Sequence, residues 1–309
     1  MHATKRLRSG LTRLSVGAFF LAAGISGALA DGSTERFEFG VYDPREAFSE
    51  RREIDIEHIF MPWHGSDLAH LHHVDDYARQ RGRSLQITLE PWTWNARNEI
   101  TKAELREGIF SGRFDATMAR LCRVFDGLKS DVTVRFAHEM NHHTRRYPWS
   151  NWRPQDYVRA YRRMIGVCKS VSTKLRYMWS PLGPNQLDAY YPGSKWVDVV
   201  GFSVYGYQPY DRYVAGHDRT FIDIFKPDYD RAAHFGKPIV VAELGYTGDR
   251  DYIAEWDRAF RSVRAEFPLL TGLVYYYARE VAPWPHGLGK PDWRNHWGPI
   301  DDFVTNTRN

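Results

Sequence analysis

The sequence predicts a single (β/α)8 TIM barrel, and three observations support this fold class. Eight short runs rich in β-branched and aromatic residues alternate with helix-like stretches. The alternation extends over about 270 residues, the usual size of one such barrel. It continues without a repeat or a low-complexity linker after residue 31. A doubly wound open sheet is the alternative, but no glycine-rich phosphate turn follows an early strand.

The elements follow one another in a regular order. The predicted strands cover 37–42, 54–60, 84–90, 132–138, 175–180, 197–205, 238–243 and 272–277. Helical periodicity predicts helices at 67–81, 113–129, 155–171, 221–235 and 251–267. Glycine stop signals at Gly82 and Gly236 support two of the helix ends.

Residues 1–30 have the pattern of a secretory signal peptide. A basic start precedes an apolar stretch of small residues, and Ala28 and Ala30 fit the small-x-small cleavage pattern. The apolar stretch, about 15 residues, is shorter than the roughly 20 that a membrane-spanning helix needs. We therefore expect cleavage of residues 1–30 and a secreted protein, extracellular or periplasmic, without a membrane anchor. Its single catalytic domain would be 31–309.

The charge balance excludes a broad nucleic-acid or anionic-membrane surface. The net charge of +4 equals the four basic residues within 1–30, a segment that has no acidic residue, so the remainder is neutral. A polyanion-binding surface needs clustered positive charge. The 11 Trp, 18 Tyr and 17 Phe residues could stack on sugar rings or could form an apolar core.

We expect the protein to be a monomer.

The two cysteines leave two interpretations open. Cys122 and Cys168 both lie in helix-like stretches. They form one disulfide in an oxidising compartment, or they remain two buried thiols. Two cysteines alone do not predict a metal site.

Carboxylates stand where several predicted strands end. In barrels of this class the active site lies at the carboxyl ends of the strands. Glu90, Glu139 and Glu243 follow strands three, four and seven. One such residue alone would more often be a solvated rim residue. Two opposed carboxylates among aromatic residues, however, are what glycoside hydrolysis requires.

Residues 138–142 also match H-E-x-x-H, the signature of zinc peptidases. That chemistry needs a helix, because His138 and His142 must share one face to bind one metal ion. The preceding residues, 132–137, alternate like a strand, and the following ones lead into a proline loop. The sequence therefore predicts no metal site and no organic cofactor.

Several ordered motifs make the chain similar to glycoside hydrolase family 26, whose members include endo-β-1,4-mannanases and mixed-linkage β-glucanases. The resemblance covers most of the chain after residue 31, and it implies a retaining (β/α)8 enzyme. The motifs are EPW at 90–92, SGRFD at 111–115, RFAHEMN at 135–141, YPW at 147–149, WRPQDYVRAYR at 152–162, YYPGSKWVDVVGFSVY at 190–205 and KPIVVAELG at 237–245.

The resemblance implies a role for individual residues. Glu139, preceded by His138, matches the acid/base, and Glu243 matches the nucleophile. Tyr205 matches the tyrosine that donates a hydrogen bond to the nucleophile. The guanidinium of Arg135 would also favour an ionised Glu243. The charge of Glu243 would in turn keep Glu139 protonated.

Further residues at the rim are expected to bind substrate or to pack behind those that do. These candidates are His64, Trp92, Trp149 and Trp284, and Arg135, His138 and Tyr205 are also expected to contact the substrate. Trp284, Trp293 and Trp297 form either a sugar platform or a tail packed on the barrel. The family usually has a tryptophan in the loop that is 142–146 here, whereas this chain has Arg145 and Arg146.

The expected function is that of a secreted, retaining endo-β-glycanase acting by double displacement. Its substrate would be a β-linked polysaccharide: β-1,4-mannan, a mixed-linkage or other β-glucan, or an exopolysaccharide. A non-catalytic polysaccharide-binding protein on the same fold is the first alternative, although binding alone needs no carboxylate pair. A zinc hydrolase of the H-E-x-x-H type is the second.

Overall fold

The computed structural model describes residues 36–94, 99–142, 146–260 and 263–295. In these residues the chain forms a closed barrel of eight parallel strands in sequential order, with helices between the strands. The (β/α)8 barrel that the sequence predicts is confirmed. The predicted signal peptide, 1–30, lies outside the described residues. Among the described helices, none is long and apolar enough to cross a membrane.

The eight strands lie close to their predicted positions. They are β1 Glu38–Tyr42, β2 Ile56–Pro62, β3 Ser84–Glu90, β4 Val132–Phe136, β5 Arg176–Trp179, β6 Val199–Tyr207, β7 Ile239–Thr247 and β8 Leu270–Tyr276. Pairing of β1 with β8, from Glu38 opposite Gly272 to Tyr42 opposite Tyr276, closes the barrel. Closure brings the last strand beside the first, so the carboxyl ends of all eight strands surround one opening.

The helices include all five predicted ones and several others. They are α1 His70–Gln80, α2 Lys102–Ser111, α3 Asp115–Gly127, α4 Pro154–Lys169, α5 Leu187–Tyr190, α6 Gln208–Ala215, α7 Phe221–Ala232, α8 Arg250–Phe260 and α9 Val263–Glu266. The prediction omitted α2, α5 and α6. A signal for α2 was present: Thr101 and Glu104 form a capping box, and Gly112 ends the helix in the left-handed conformation.

The interior of the barrel is filled by apolar side chains from five strands. These are Ile56, Met178, Val199, Val240, Ala242 and Val274. Gly40 of β1 makes room for these side chains, because a Cβ at this position would lie 2.8 Å from Cγ2 of Val274. The close-packed interior makes the strand ends a rigid frame for the side chains above it.

The cysteine pairing that the sequence left open is a disulfide. Cys122 of α3 is bonded to Cys168 of α4, with the two Cα atoms 5.3 Å apart. Both residues are fully buried. The bond joins the two helices that flank β4, the strand that leads to Glu139.

Candidate active site

A strained turn presents Glu139 to the cleft. After β4 ends, Ala137 and Glu139 both have positive φ, 49° and 54°. Such angles in residues other than glycine cost of order 1–3 kcal/mol and concentrate at functional sites. The backbone N–H of Glu139 donates to the Ser180 carbonyl at 2.7 Å, which fixes the turn against the end of β5. The Glu139 carboxyl lines the cleft above the barrel.

The side chains of Trp149 and Asn141 brace this turn. The indole of Trp149 donates from Nε1 to the His138 carbonyl at 2.7 Å. The amide of Asn141 donates to the carbonyls of Leu182 and Asn185, at 2.8 and 3.1 Å. It also accepts from the Leu182 N–H at 2.7 Å. The segment around Glu139 is thus tied to the loop after β5.

Two donors hold the Glu243 carboxylate on β7. Arg135 donates from Nη1 to Oε1 of Glu243. Tyr205, on the neighbouring strand β6, donates from its hydroxyl to Oε2 at 2.7 Å. Gly245 makes room for the tyrosine ring, since a Cβ there would lie 2.9 Å from it. Both carboxylate oxygens therefore meet hydrogen-bond donors, which favours the ionised form.

Arg135 is fully buried and its other contacts are neutral. Its Nε donates to the Ser180 hydroxyl at 2.9 Å and its Nη2 to the Ser203 hydroxyl at 3.0 Å. Its Nη1 also reaches the Thr88 hydroxyl at 3.3 Å. Sequence reasoning missed these three hydroxyls, although each sits on, or just past, a barrel strand. In the described residues, the other side-chain hydrogen-bond partners of this guanidinium are uncharged hydroxyls. Glu243 is therefore the carboxylate that compensates its positive charge.

The two carboxyls meet at short range. One side-chain oxygen of Glu139 and one of Glu243 lie within 4.8 Å of each other, together with a ring nitrogen of His138. Retaining glycosidases place their two carboxyl groups about 5–5.5 Å apart, and inverting ones about 6.5–9.5 Å. The separation in this structure is closer to the retaining range than to the inverting one.

Burial shifts the pKa values of the other titratable groups in the site. It raises the pKa of Glu139, and the nearby charge of Glu243 raises it further. Burial also raises the pKa of Glu90 to about 7. The pKa of His138 is well below its usual range, first through burial and then through Arg135, so its imidazole is neutral. The site thus combines a carboxylate that accepts from Arg135 and Tyr205 with a carboxyl whose pKa is raised.

These groups line a cleft of about 340 Å³ at the carboxyl ends of the strands. Arg146 and Glu280 face each other in it, with Nη2 3.1 Å from Oε1. Their ion pair joins the loops after β4 and β8. The remaining lining residues are Tyr42, Phe60, Glu90, Trp92, Glu139, Tyr147, Tyr205, Glu243, Tyr276 and Val281. Sequence reasoning missed Glu280, Tyr42 and Tyr276.

The structure separates the predicted substrate-binding residues into two groups. Trp92 lines the cleft. His64 is exposed at the end of β2, where its Nδ1 accepts from the Trp94 N–H at 3.2 Å. Trp284 is half-buried and packs against Tyr205 with ring centroids 6.3 Å apart. These three residues lie at or next to the opening.

The second group lies beneath the cleft. Arg135, His138 and Trp149 are each no more than 1% exposed. Arg135 donates to Glu243, and Trp149 donates to the backbone of the turn that carries Glu139. Burial leaves little of the three side chains for a sugar to contact, and their role in substrate binding stays a prediction. Trp293 is also fully buried, so at that position the tail packs on the barrel. Trp297 and residues 143–145 lie outside the described part of the chain.

The cluster of His138, Glu139 and Glu243 is the one place in the described residues with three potential metal ligands close together. Its chemistry does not suit a cation. Both oxygens of Glu243 accept from Arg135 or Tyr205, and the guanidinium would repel a metal ion. His138 follows a strand rather than lying on a helix. His138 and His142 therefore do not share one helix face, which H-E-x-x-H chemistry needs.

We predict that Tyr205→Phe lowers turnover roughly ten- to a hundredfold. The ring stays in place while Glu243 loses one donor, and a hydrogen bond to a charged group contributes about 1.5–3 kcal/mol. Because the ionised carboxylate is then less stabilised, the acidic limb of the pH–rate profile should move to higher pH. Melting temperature serves as the folding control. Wild-type turnover with an unmoved limb would show that the hydroxyl has no part in the reaction.

Comparison with known proteins supports the predicted resemblance. The model of glycosyl hydrolase family 26 matches residues 103–235. Endoglucanase H of Acetivibrio thermocellus is 22% identical over 75% of this chain and 26% of its own length. A mannan endo-1,4-beta-mannosidase of Bifidobacterium adolescentis is 26% identical over 52% of this chain and 17% of its own length. The chain thus spans about a quarter or less of these curated relatives.

Solved structures show the same fold. A family 26 β-mannanase from Bacteroides ovatus has a TM-score of 0.60 and 17% identity, with 89% of each chain covered. A modular endo-β-1,4-mannanase from Cellulomonas fimi has a TM-score of 0.63 and 14% identity, covering 89% of this chain and 71% of that one. These structures confirm the fold, and the family match over residues 103–235 supports the resemblance to glycoside hydrolase family 26 that the motifs predict.

Proposed function

We propose that this protein, a relative of glycoside hydrolase family 26, is a retaining endo-β-glycanase. The observation that carries the proposal is the pairing of Glu139 and Glu243 within 4.8 Å in opposite electrostatic environments. Arg135 and Tyr205 stabilise one carboxyl as an anion, while burial and the neighbouring charge keep the other protonated. A nucleophile and a general acid need these two states.

In the first step Glu139 protonates the glycosidic oxygen while Glu243 attacks the anomeric carbon. The carbon–oxygen bond to the leaving sugar breaks, its electron pair stays on the leaving oxygen, and an ester to Glu243 forms. Charge leaves the Glu243 carboxylate as the ester forms. The donors from Arg135 and Tyr205 must therefore hold it in position without preventing attack.

In the second step the ionised Glu139 takes a proton from water, and the resulting oxygen attacks the anomeric carbon. The ester bond breaks, and its electron pair returns to Glu243. Arg135 and Tyr205 stabilise the carboxylate that leaves. Two inversions at one carbon give a product with the configuration of the substrate.

The cleft favours a neutral substrate. Arg135 is paired with Glu243 and Arg146 with Glu280, which leaves no unpaired cation among the described lining residues. An acidic polymer would have to compete with Glu280 for the guanidinium of Arg146. The relatives' names point to a glucan and a mannan. We therefore propose a neutral β-linked glucan or mannan as the substrate.

A substrate screen with anomeric analysis tests the proposal. Purified protein is incubated with mannan, mixed-linkage glucan, xylan and an acidic exopolysaccharide, and proton NMR follows the first product. We expect the β-anomer to appear first from a neutral glucan or mannan, with viscosity falling early because cleavage is internal. Initial release of the α-anomer would contradict the retaining mechanism. Preference for the acidic polymer would contradict the substrate.

We predict that the rate falls as pH rises through the pKa of Glu139. Below this pKa the carboxyl is protonated and active; above it the first step lacks its proton. Since burial and Glu243 raise the pKa, the alkaline limb of kcat/KM should lie well above the usual carboxyl range. As a control, Glu139→Gln acting on an aryl glycoside whose leaving group needs no proton should lose this limb. Its persistence there would assign the limb to another group.

We also propose that the protein acts outside the cytoplasm. The signal-like pattern of residues 1–30 supports export, and the Cys122–Cys168 disulfide suits an oxidising compartment. Expression of the full chain in a bacterial host should yield exported protein whose N-terminus, read by Edman degradation, is near Asp31. Uncleaved protein confined to the cytoplasm would contradict export.

A further inference from the structure

A row of aromatic side chains leads away from the cleft over the loop after β8 and helix α6. We call it the aromatic ridge, and it consists of Trp284, Tyr210, His286 and Tyr213. Ring centroids are 5.0 Å apart from Trp284 to Tyr210 and 6.3 Å from Tyr210 to His286. From His286 to Tyr213 they are 4.1 Å apart, with the planes 25° from parallel. The two tyrosines are three positions apart on α6 and so share one face.

The ridge is continuous with the cleft. Trp284, at its inner end, packs edge-on against Tyr205, the residue that donates to Glu243. Val281 belongs to the same loop and lines the cleft while remaining 69% exposed. A chain that leaves the cleft past Tyr205 would therefore meet the ridge next.

The outer end of the ridge is open to solvent. Tyr213 is 61% exposed in spite of its stacking on His286, and it is one of the few exposed large apolar side chains of the described residues. The remaining ring surface is free for a second stacking partner. Isolated exposed aromatic residues need no explanation, but a row that adjoins a cleft is typical of a binding surface.

The loop that carries His286 is fixed in a costly conformation. His286 has a positive φ of 62°, which is rare outside glycine. The loop is braced by the Trp284 N–H, which donates to the Gly289 carbonyl at 2.7 Å. The Tyr207 hydroxyl donates to the Leu288 carbonyl, also at 2.7 Å. Strain that the surroundings maintain is common at ligand sites, and here it places the imidazole on Tyr213.

We propose that the aromatic ridge binds the part of the polysaccharide that extends beyond the cleft. The inference rests on the proposed function, since it needs a glycan chain in the cleft. Aromatic faces stack on the apolar C–H faces of pyranose rings, and the row of four rings matches an extended, neutral chain. Its role is to favour long substrates over short ones.

The experiment compares a polymer with a short oligosaccharide that fills only the cleft. For each variant the ratio of kcat/KM on the polymer to kcat/KM on the oligosaccharide is measured. We expect Tyr213→Ala and His286→Ala to lower this ratio roughly three- to tenfold through a higher KM for the polymer. Tyr213→Phe keeps the ring and should behave as wild type. Val214→Ala is the matched control, because Val214 is exposed on the same helix but outside the ridge.

A second readout, retardation in native gels containing the polymer, separates the inference from the proposed function. If wild-type protein hydrolyses polymers and Tyr213→Ala has an unchanged ratio and unchanged retardation, the ridge proposal is wrong while the function stands. If wild-type protein hydrolyses no polymer but is retarded in the gel, and Tyr213→Ala removes the retardation, the ridge binds glycan and the catalytic proposal fails. If wild-type protein neither hydrolyses nor is retarded, both are wrong.

Discussion

Glu243→Gln should abolish turnover on polysaccharide, with a fall of at least about ten-thousandfold. The amide keeps the size of the side chain but is not a nucleophile, so the ester of the first step cannot form. Glu139→Gln should lower turnover about a hundred- to ten-thousandfold, the usual contribution of a general acid. Initial rates on the polymer identified by the screen give both values.

The same experiment needs a matched carboxyl that is not expected to react. Glu90 lines the same cleft and is half-buried, yet the described side-chain hydrogen bonds of Arg135 go to other residues, and its charge acts on Glu90 only at longer range. Glu90→Gln should therefore lose far less turnover than either of the other variants. Melting temperatures check that all three proteins fold. Substantial activity in Glu243→Gln or Glu139→Gln would contradict the catalytic role of that residue. Equal losses of turnover in all three variants would mean that the assay does not distinguish Glu139 and Glu243 from Glu90.

Arg135→Met should lower turnover at least about a hundredfold and also destabilise the fold. The variant leaves the Glu243 carboxylate, only 6% exposed, without its cation. Breaking a buried ion pair by removing one partner costs about 3–5 kcal/mol. Arg135→Lys should give an intermediate loss, because an ammonium cannot reach Glu243, Ser180 and Ser203 together. Turnover and the free energy of unfolding are measured for each variant.

A double variant separates the electrostatic effect from simple loss of packing. Arg135→Met combined with Glu243→Gln has no unpaired buried charge, so it should recover part of the unfolding free energy that Arg135→Met loses. Without any recovery, packing rather than the ion pair would explain the destabilisation. Wild-type turnover in Arg135→Met would contradict the role of Arg135 altogether.

The sequence by itself determined the barrel and the strand ends on which the site is built. Strand alternation is a local property, and eight such runs separated by helices leave few topologies. Glu139 and Glu243 could be placed at one rim because parallel strands end on the same side. The α2 helix was missed despite its capping box, because its apolar periodicity is weaker than that of α3 or α4.

Only the tertiary structure decided which side chains face the cleft and which support it from below. Trp149 and Trp92 are both aromatic residues of loops after strands, yet one is buried and the other lines the cleft. The Cys122–Cys168 bond and the Arg146–Glu280 pair join residues 46 and 134 positions apart. Local patterns record periodicity and strand ends, whereas burial and pairing depend on how distant segments pack. For that reason the two carboxyls and their partners Arg135 and Tyr205 could be predicted, whereas the hydroxyls that surround Arg135 could not.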